Sequence, residues 1–338
     1  MRTDVARLAR LLHAYNAILC LDCAASAPYL PIDMNPAEGT DAAPDAVYFS
    51  PHKLIGGPGA CGVLAFKAAL YRSDLPPTLP GGGTVTYVTP DSHDFITDIA
   101  ARERAGTPGV MQMMRAALSL TALGAVGYER IEHREQDALK RAFDAWTAHP
   151  AIDILGSHDP DRRIGIVSFN IRSGDGEMLH PRFVATLLND LFGVQARAGC
   201  SCAGPYAHHL LDLDEQTTGE HRTAVLSGYA GLRPGWCRLS LHWVMDEAEI
   251  DYLIAAVLFI AEQGAKFLPL YNFNAATGAW RNRRHAEAIG IAAPTGGKAM
   301  MQAAFEEAQA LAQTLESELC CGRLPECVEA LRRFRVPA

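Results

Sequence analysis

The sequence has no run of apolar residues as long as a membrane span and no apolar secretory core behind Met1-Arg2-Thr3-Asp4. It also lacks a basic cluster interleaved with aromatics, a pair of Cys-x-x-Cys motifs, and any internal repeat. Each absence excludes something. The first two argue against a membrane-embedded or exported chain. The third, with a formal charge of −8 and a pI near 5.8, argues against a nucleic-acid surface. The fourth removes a structural zinc site, and the last removes solenoids. The expectation is a cytoplasmic protein with neither a nucleic-acid nor a membrane partner. In such a setting the nine cysteines read as small buried hydrophobes with one reactive member rather than as disulfides.

What is present is a globular composition. At 338 residues, 49% hydrophobic and 20% charged, the chain has room for two domains with proper cores. Val5, Leu8, Leu11, Leu12 and Tyr15 recur at helical spacing, and Asn16 stops that helix before an apolar strand over 18–21 that ends in Asp22. Strands are expected over 46–49 and 61–66, then, after a Pro- and Gly-rich stretch, helices from near Val110 and on to 149. Beyond these, strands over 152–155, 165–171, 194–197 and 237–242 alternate with helices over 181–191 and 246–262, which describes an α+β domain. Asp246 and Glu249 stand at capping-box spacing. A last helix is expected over 298–319. The expected division is 1–125, 126–265 and a C-terminal extension over 266–338, in an overall α/β chain.

The stretch Phe49-Ser50-Pro51-His52-Lys53-Leu54-Ile55-Gly56-Gly57-Pro58-Gly59 organises the functional reading. A lysine amine is a nucleophile only when deprotonated, and neighbouring cations or apolar walls favour that form. Lys53, after His52 and ahead of a glycine turn, is a candidate for Schiff-base chemistry; read alone, the stretch equally suits a solvated lysine beside a common turn. Asp22 stands at a strand's C-terminal end, where open α/β sheets collect ligands, though capping a turn is its plainer role.

Five motifs in order change the weight of these residues: Leu21-Asp22-x-Ala24, Phe49-Ser50-x-His52-Lys53, Ala105-Gly106-Thr107-Pro108, Arg197-x-Gly199-x-x-Cys202-Ala203 and Cys237-Arg238-x-Ser240. Together, over most of residues 5–264, they resemble the class V aminotransferase group of fold-type I pyridoxal phosphate (PLP) enzymes, which includes the cysteine desulfurases and selenocysteine lyases. The resemblance implies part of a large PLP-binding domain with a mainly parallel sheet, followed by a smaller α+β domain. It implies that Lys53 carries the cofactor and moves protons at the substrate Cα, and that Asp22 pairs with the ring nitrogen. By the same resemblance Ser50 and His52 contact the phosphate, and Thr107 reaches that of a neighbouring subunit in a homodimer. Arg238, assisted by Arg197, would clamp the carboxylate of a small amino-acid substrate. Cys202 would receive sulfur as a persulfide while alanine leaves.

The chain departs from the family at three places. Ala25 replaces a glutamine usual in desulfurases, and Cys200-Ser201-Cys202 replaces the His-His-Cys of one branch. The family's N-terminal half, with its phosphate-cradling turn and ring-stacking histidine, has no counterpart before Val5. A separate polypeptide supplying that half, a truncated product and a non-catalytic interaction subunit all stay open. So do a transaminase, epimerase or β-lyase in which Cys202 is structural.

Overall fold

The structure is a computed structural model that describes residues 2–200, 204–283, 297–315 and 322–337. The chain divides into two units, Arg2–His133 and Arg134–Ala338, with the division falling inside a helix rather than at the glycines around residue 125. The segment beyond residue 265 belongs to the second unit.

In the first unit the opening helix α1 (Val5–Ala14) is capped by Asp4, whose side chain accepts from the Arg7 N–H at 3.0 Å. Asn16, at φ 54°, turns the chain into strand β1 (Cys20–Asp22). This strand pairs in parallel with β2 (Ala46–Phe49), and β3 (Val63–Phe66) adds on the far side of β2 in antiparallel sense. One buried carboxylate fastens these elements. Asp45 accepts hydrogen bonds from the Leu19 N–H at 2.7 Å and Lys67 Nζ at 2.9 Å, and His13 Nε2 lies 2.9 Å away. Burial alone would raise its pKa, but these partners outweigh burial and hold it at about 2. The unit continues with a hairpin, β4 (Val85–Val88) and β5 (His93–Phe95), a short helix α2 (Ile99–Arg102), and α3 (Val110–Val126).

The helix α4 (Tyr128–Thr147) leads into the second unit. There β6 (Ile152–Ile154), β7 (Ile166–Ile171), β8 (Arg197–Gly199) and β9 (Trp236–Ser240) form an antiparallel sheet in the order β6-β7-β9-β8. Strand alternation sends Val167, Phe169 and Ile171 to one face. They share a core with apolar residues of α5 (Pro181–Phe192) and α8 (Glu247–Gln263), among them Leu187, Val257 and Ile260. Trp146 completes the core and donates its indole N–H to the Ile254 carbonyl at 3.2 Å. Two further helices, α6 (Gly204–Leu210) and α7 (Glu215–Leu226), lie between β8 and β9 in the chain. A hairpin of β10 (Tyr271–Asn274) and β11 (Ala279–Asn282) and the helix α9 (Lys298–Thr314) pack against α5. The expected end of α9, over 315–319, falls largely outside the described residues.

One helical stretch, Glu247–Leu270, is long and apolar enough to cross a membrane by length and composition alone. Ile250, Leu253, Val257 and Ile260 on it are buried in the core of the second unit, so its apolar character is that of an enclosed helix.

Candidate active site

Two strand ends carry the first group of candidates. In β1 and β2, Asp22 is the register partner of Tyr48, and the Cys23 N–H extends the ladder to the Tyr48 carbonyl at 2.8 Å. The chain leaves both strands at the same end of the sheet, because they run in parallel. Asp22 is exposed there, with Oδ1 accepting the Ala24 N–H at 2.8 Å. Ser50, His52 and Lys53 follow β2 directly, on a 3-10 turn over Pro51–Lys53.

That turn is held from inside. Pro51 and Leu54 are buried while His52 and Lys53 face out, and the Lys53 N–H closes on the Ser50 carbonyl at 3.0 Å. The Gly57 N–H then returns to Leu54 O at 3.0 Å. A Cβ on Gly57 would stand 1.8 Å from the Pro51 carbonyl oxygen, so only glycine lets the chain double back under the lysine. Helix α3 packs beside the turn, and Arg115 Nη1 donates to Pro58 O at 2.6 Å. Thr107 lies exposed in the loop ahead of α3, after Gly106 at φ 77°.

The second unit carries the remaining candidates. Arg197 and Arg238 are register partners on β8 and β9, and Ser168 of β7 pairs with Arg238 on the other side. Register partners in an antiparallel sheet share a face, so Ser168, Arg238 and Arg197 make a row across three strands, opposite the face that carries the core. Arg238 is half-buried and Arg197 exposed. Where β8 ends, Gly199 sits at φ 122° and a Cβ on Gly235 would meet its backbone at 2.7 Å, a close approach available only to glycine. Cys200 follows, half-buried, and packs on the cluster of Leu155, Ala207 and Trp236. Cys202 lies outside the described residues. Two other thiols are suppressed as nucleophiles. Burial pushes Cys237 up to about 12 and raises Cys23 as well, and the thiolate is the reactive form.

Sequence reasoning missed Asp45, Gly57 and Ser168 as residues that shape these sites. Asp45 is an acid placed immediately before an apolar run, a signal indistinguishable from an ordinary turn. Gly57 is one of three glycines in its loop, and only the folded turn separates it from the others. Ser168 becomes a neighbour of Arg238 through a strand pairing that spans 70 residues, which no local pattern announces.

Comparison with known proteins follows this geometry. The sequence model of the family Aminotransferase class-V matches residues 1–253. A probable cysteine desulfurase of Staphylococcus aureus is 32% identical over 191 residues, covering 56% of this chain and 43% of that protein. A probable cysteine desulfurase of Staphylococcus epidermidis is 31% identical over the same length. The chain thus aligns to less than half the length of the curated relatives it matches. Among solved structures, the apo cysteine desulfurase of Thermococcus onnurineus superposes with a TM-score of 0.61 at 25% identity, over 76% of this chain and 56% of that one. An Escherichia coli cysteine desulfurase gives 0.59 at 23%, over 76% and 55%, and shows the fold.

Proposed function

The chain belongs to the class-V aminotransferase family, and from that premise we propose that it is a PLP-dependent enzyme acting on a small amino acid, of the cysteine desulfurase or selenocysteine lyase type. The observation that carries this reading is the exit of Asp22 and of the Ser50–Lys53 turn at one end of two parallel strands. The residues fit the cofactor chemically. An exposed amine on a rigid turn suits the aldehyde, an exposed carboxylate with one oxygen engaged suits the ring nitrogen, and Ser50 and His52 offer donors to the phosphate. When bound, PLP supplies an electron sink for the bond being broken at the substrate carbon.

The chain's own residues do the rest. Lys53 holds the cofactor and moves a proton at the substrate Cα. Arg238, with Arg197 beside it on the sheet, receives the substrate carboxylate. The Cys202 thiolate attacks the sulfur of the substrate cysteine: an S–S bond forms, the C–S bond breaks, and its electron pair stays with the carbon. Protonation of that carbon gives alanine and leaves a persulfide on Cys202. The reading includes a cytoplasmic homodimer in which Thr107 contacts the neighbour's cofactor phosphate. It is supported by the apolar face exposed on α3 just after Thr107, where Met111 is 70% and Leu118 66% accessible.

The test is spectroscopic and chemical. Purified protein with added PLP is expected to develop a visible absorbance band that Lys53→Ala abolishes, and to release alanine from cysteine until Cys202→Ser stops it. No band refutes cofactor binding. A band with alanine release unchanged in Cys202→Ser refutes the persulfide route and points to a β-lyase or transaminase.

A further inference from the structure

The second unit contains a cavity of about 700 Å³ that no residue of the proposed chemistry lines. Its floor is the sheet face at Asp153 and Asn170, register partners on β6 and β7. Other parts of its lining come from the corner between α6 and α7, from the segment entering β9, and from Leu331–Phe334 near the C-terminus. That last segment lies beyond residue 253, where the family match ends. Part of the cavity's wall therefore comes from outside the matched region.

Its chemistry is mixed in a specific way. Leu155, Leu232 and Phe334 give apolar patches. Four arginines and four acidic residues line the same space, so the lining carries no net formal charge. Some are already engaged: Arg332 is paired with Glu329 at 2.7 Å, and Asp214 caps the Thr217 N–H at 2.7 Å. Arg233, Asp153 and Glu177 form no ion pair within 4.0 Å among the described residues, and Arg333 acts on Asp214 only at longer range, its charge helping to hold that carboxyl below its usual range. A simple anion or a simple cation would meet repulsion from one of these sets, whereas a molecule bearing both charges is attracted by both. Asn170, 4% exposed, also has a carboxamide oxygen with no hydrogen-bond partner, a buried deficit that a bound group or a small shift of the side chain would relieve. The volume falls within the range of sites that enclose a molecule of several hundred daltons, roughly 300–1,000 Å³.

We propose that this cavity is a second small-molecule site, separate from the residues assigned to cofactor chemistry, for a zwitterionic oligopeptide of a few residues. The carboxylate end is held by Arg233 and Arg333 and the ammonium end by Asp153 and Glu177, with apolar side chains against Leu155, Leu232 and Phe334.

Isothermal titration calorimetry on the full chain tests this with trialanine and trileucine as probes, beside their N-acetylated and C-amidated forms. At least one free peptide is expected to bind saturably at one site per chain. Blocking either end, or the double substitution Arg233→Ala/Arg333→Ala of two exposed side chains, should weaken binding about tenfold or more. Lys53→Ala should leave it unchanged. The proposal is overturned by absence of saturable binding of both peptides up to millimolar concentration, by equal binding of the blocked forms, or by loss of binding in Lys53→Ala. Binding of acetate as tight as that of the peptides also overturns it, since the site is then a plain anion site. Circular dichroism of the double variant is expected to match the parent, and Asp153→Asn, which keeps volume and shape, should weaken the free peptides but not their N-acetylated forms.

Discussion

His180 sits at the N-terminus of α5 with both ring nitrogens engaged: Nδ1 accepts the Arg182 N–H and Nε2 donates to the Gly231 carbonyl, each at 3.0 Å. Its ring meets Phe334 edge-on at 4.4 Å, and burial, outweighing the opposing hydrogen bond to Gly231 and aided by the Arg182 charge, lowers its pKa from 6.5 to about 4. The folded form therefore resists a proton that the unfolded chain accepts, so stability falls as pH drops from 6.5 towards 4, by about 3 kcal/mol in total. Urea midpoints measured at pH 7 and 4.5 should show this loss in the parent and a flatter profile in His180→Gln. Asp45 acts in a lower window. Its carboxyl is depressed from 3.8 to about 2, so its contribution is complete above pH 3.8 and is lost as pH falls towards 2, about 2 kcal/mol. Asp45→Asn should remove that limb of the acid titration. Gly57 is the third test at this scale. Gly57→Ala forces a contact of 1.8 Å with the Pro51 carbonyl, and opening the turn to relieve it moves Lys53. PLP affinity should fall about tenfold or more with the far-ultraviolet dichroism retained.

Elements whose pattern is written locally were legible in the sequence. Helix α8 is the clearest: Asp246 and Glu249 exchange side-chain and backbone hydrogen bonds at 2.8 Å as their spacing implied, and Asp246→Ala should cost about 1 kcal/mol in urea unfolding. Strand β7 and helices α1 and α5 likewise follow their hydrophobic period, whereas α3 was legible by its length and composition, its large apolar side chains standing mostly exposed. The hairpins β4–β5 and β10–β11 and the helices α6 and α7 were not anticipated, each for its own reason. The hairpin strands are three or four residues long, too short for alternation to stand out. Helix α7 reads Glu-Gln-Thr-Thr-Gly-Glu-His-Arg, with a mid-helix glycine and few apolar positions, and buries only His221 and Ala224 among its side chains. Its helicity rests on the Asp214 cap and on contacts with the Ala230–Leu232 turn rather than on a stripe of its own.

At the scale of the whole molecule, the tryptophans give a means of watching one unit alone. All four, Trp146, Trp236, Trp243 and Trp280, belong to the second unit, and the first has none. Tryptophan fluorescence should therefore report the transition governed by His180 and stay silent to that governed by Asp45, which far-ultraviolet dichroism should detect; coincident acid transitions by both probes would show that the units unfold as one. The sequence by itself determined the order of elements, the position of the lysine and the acid at strand ends, and the motif set that marks the family, because period, caps and short motifs are properties of neighbouring residues. Tertiary structure alone decided that Asp45 clasps a helix and three strands, that Ser168, Arg238 and Arg197 form one row, that Cys200 is packed under Trp236, and that the C-terminal segment helps line a charged cavity. Those facts depend on which distant segments pair, and pairing is set by the burial of shared apolar faces, a property no single stretch of chain possesses.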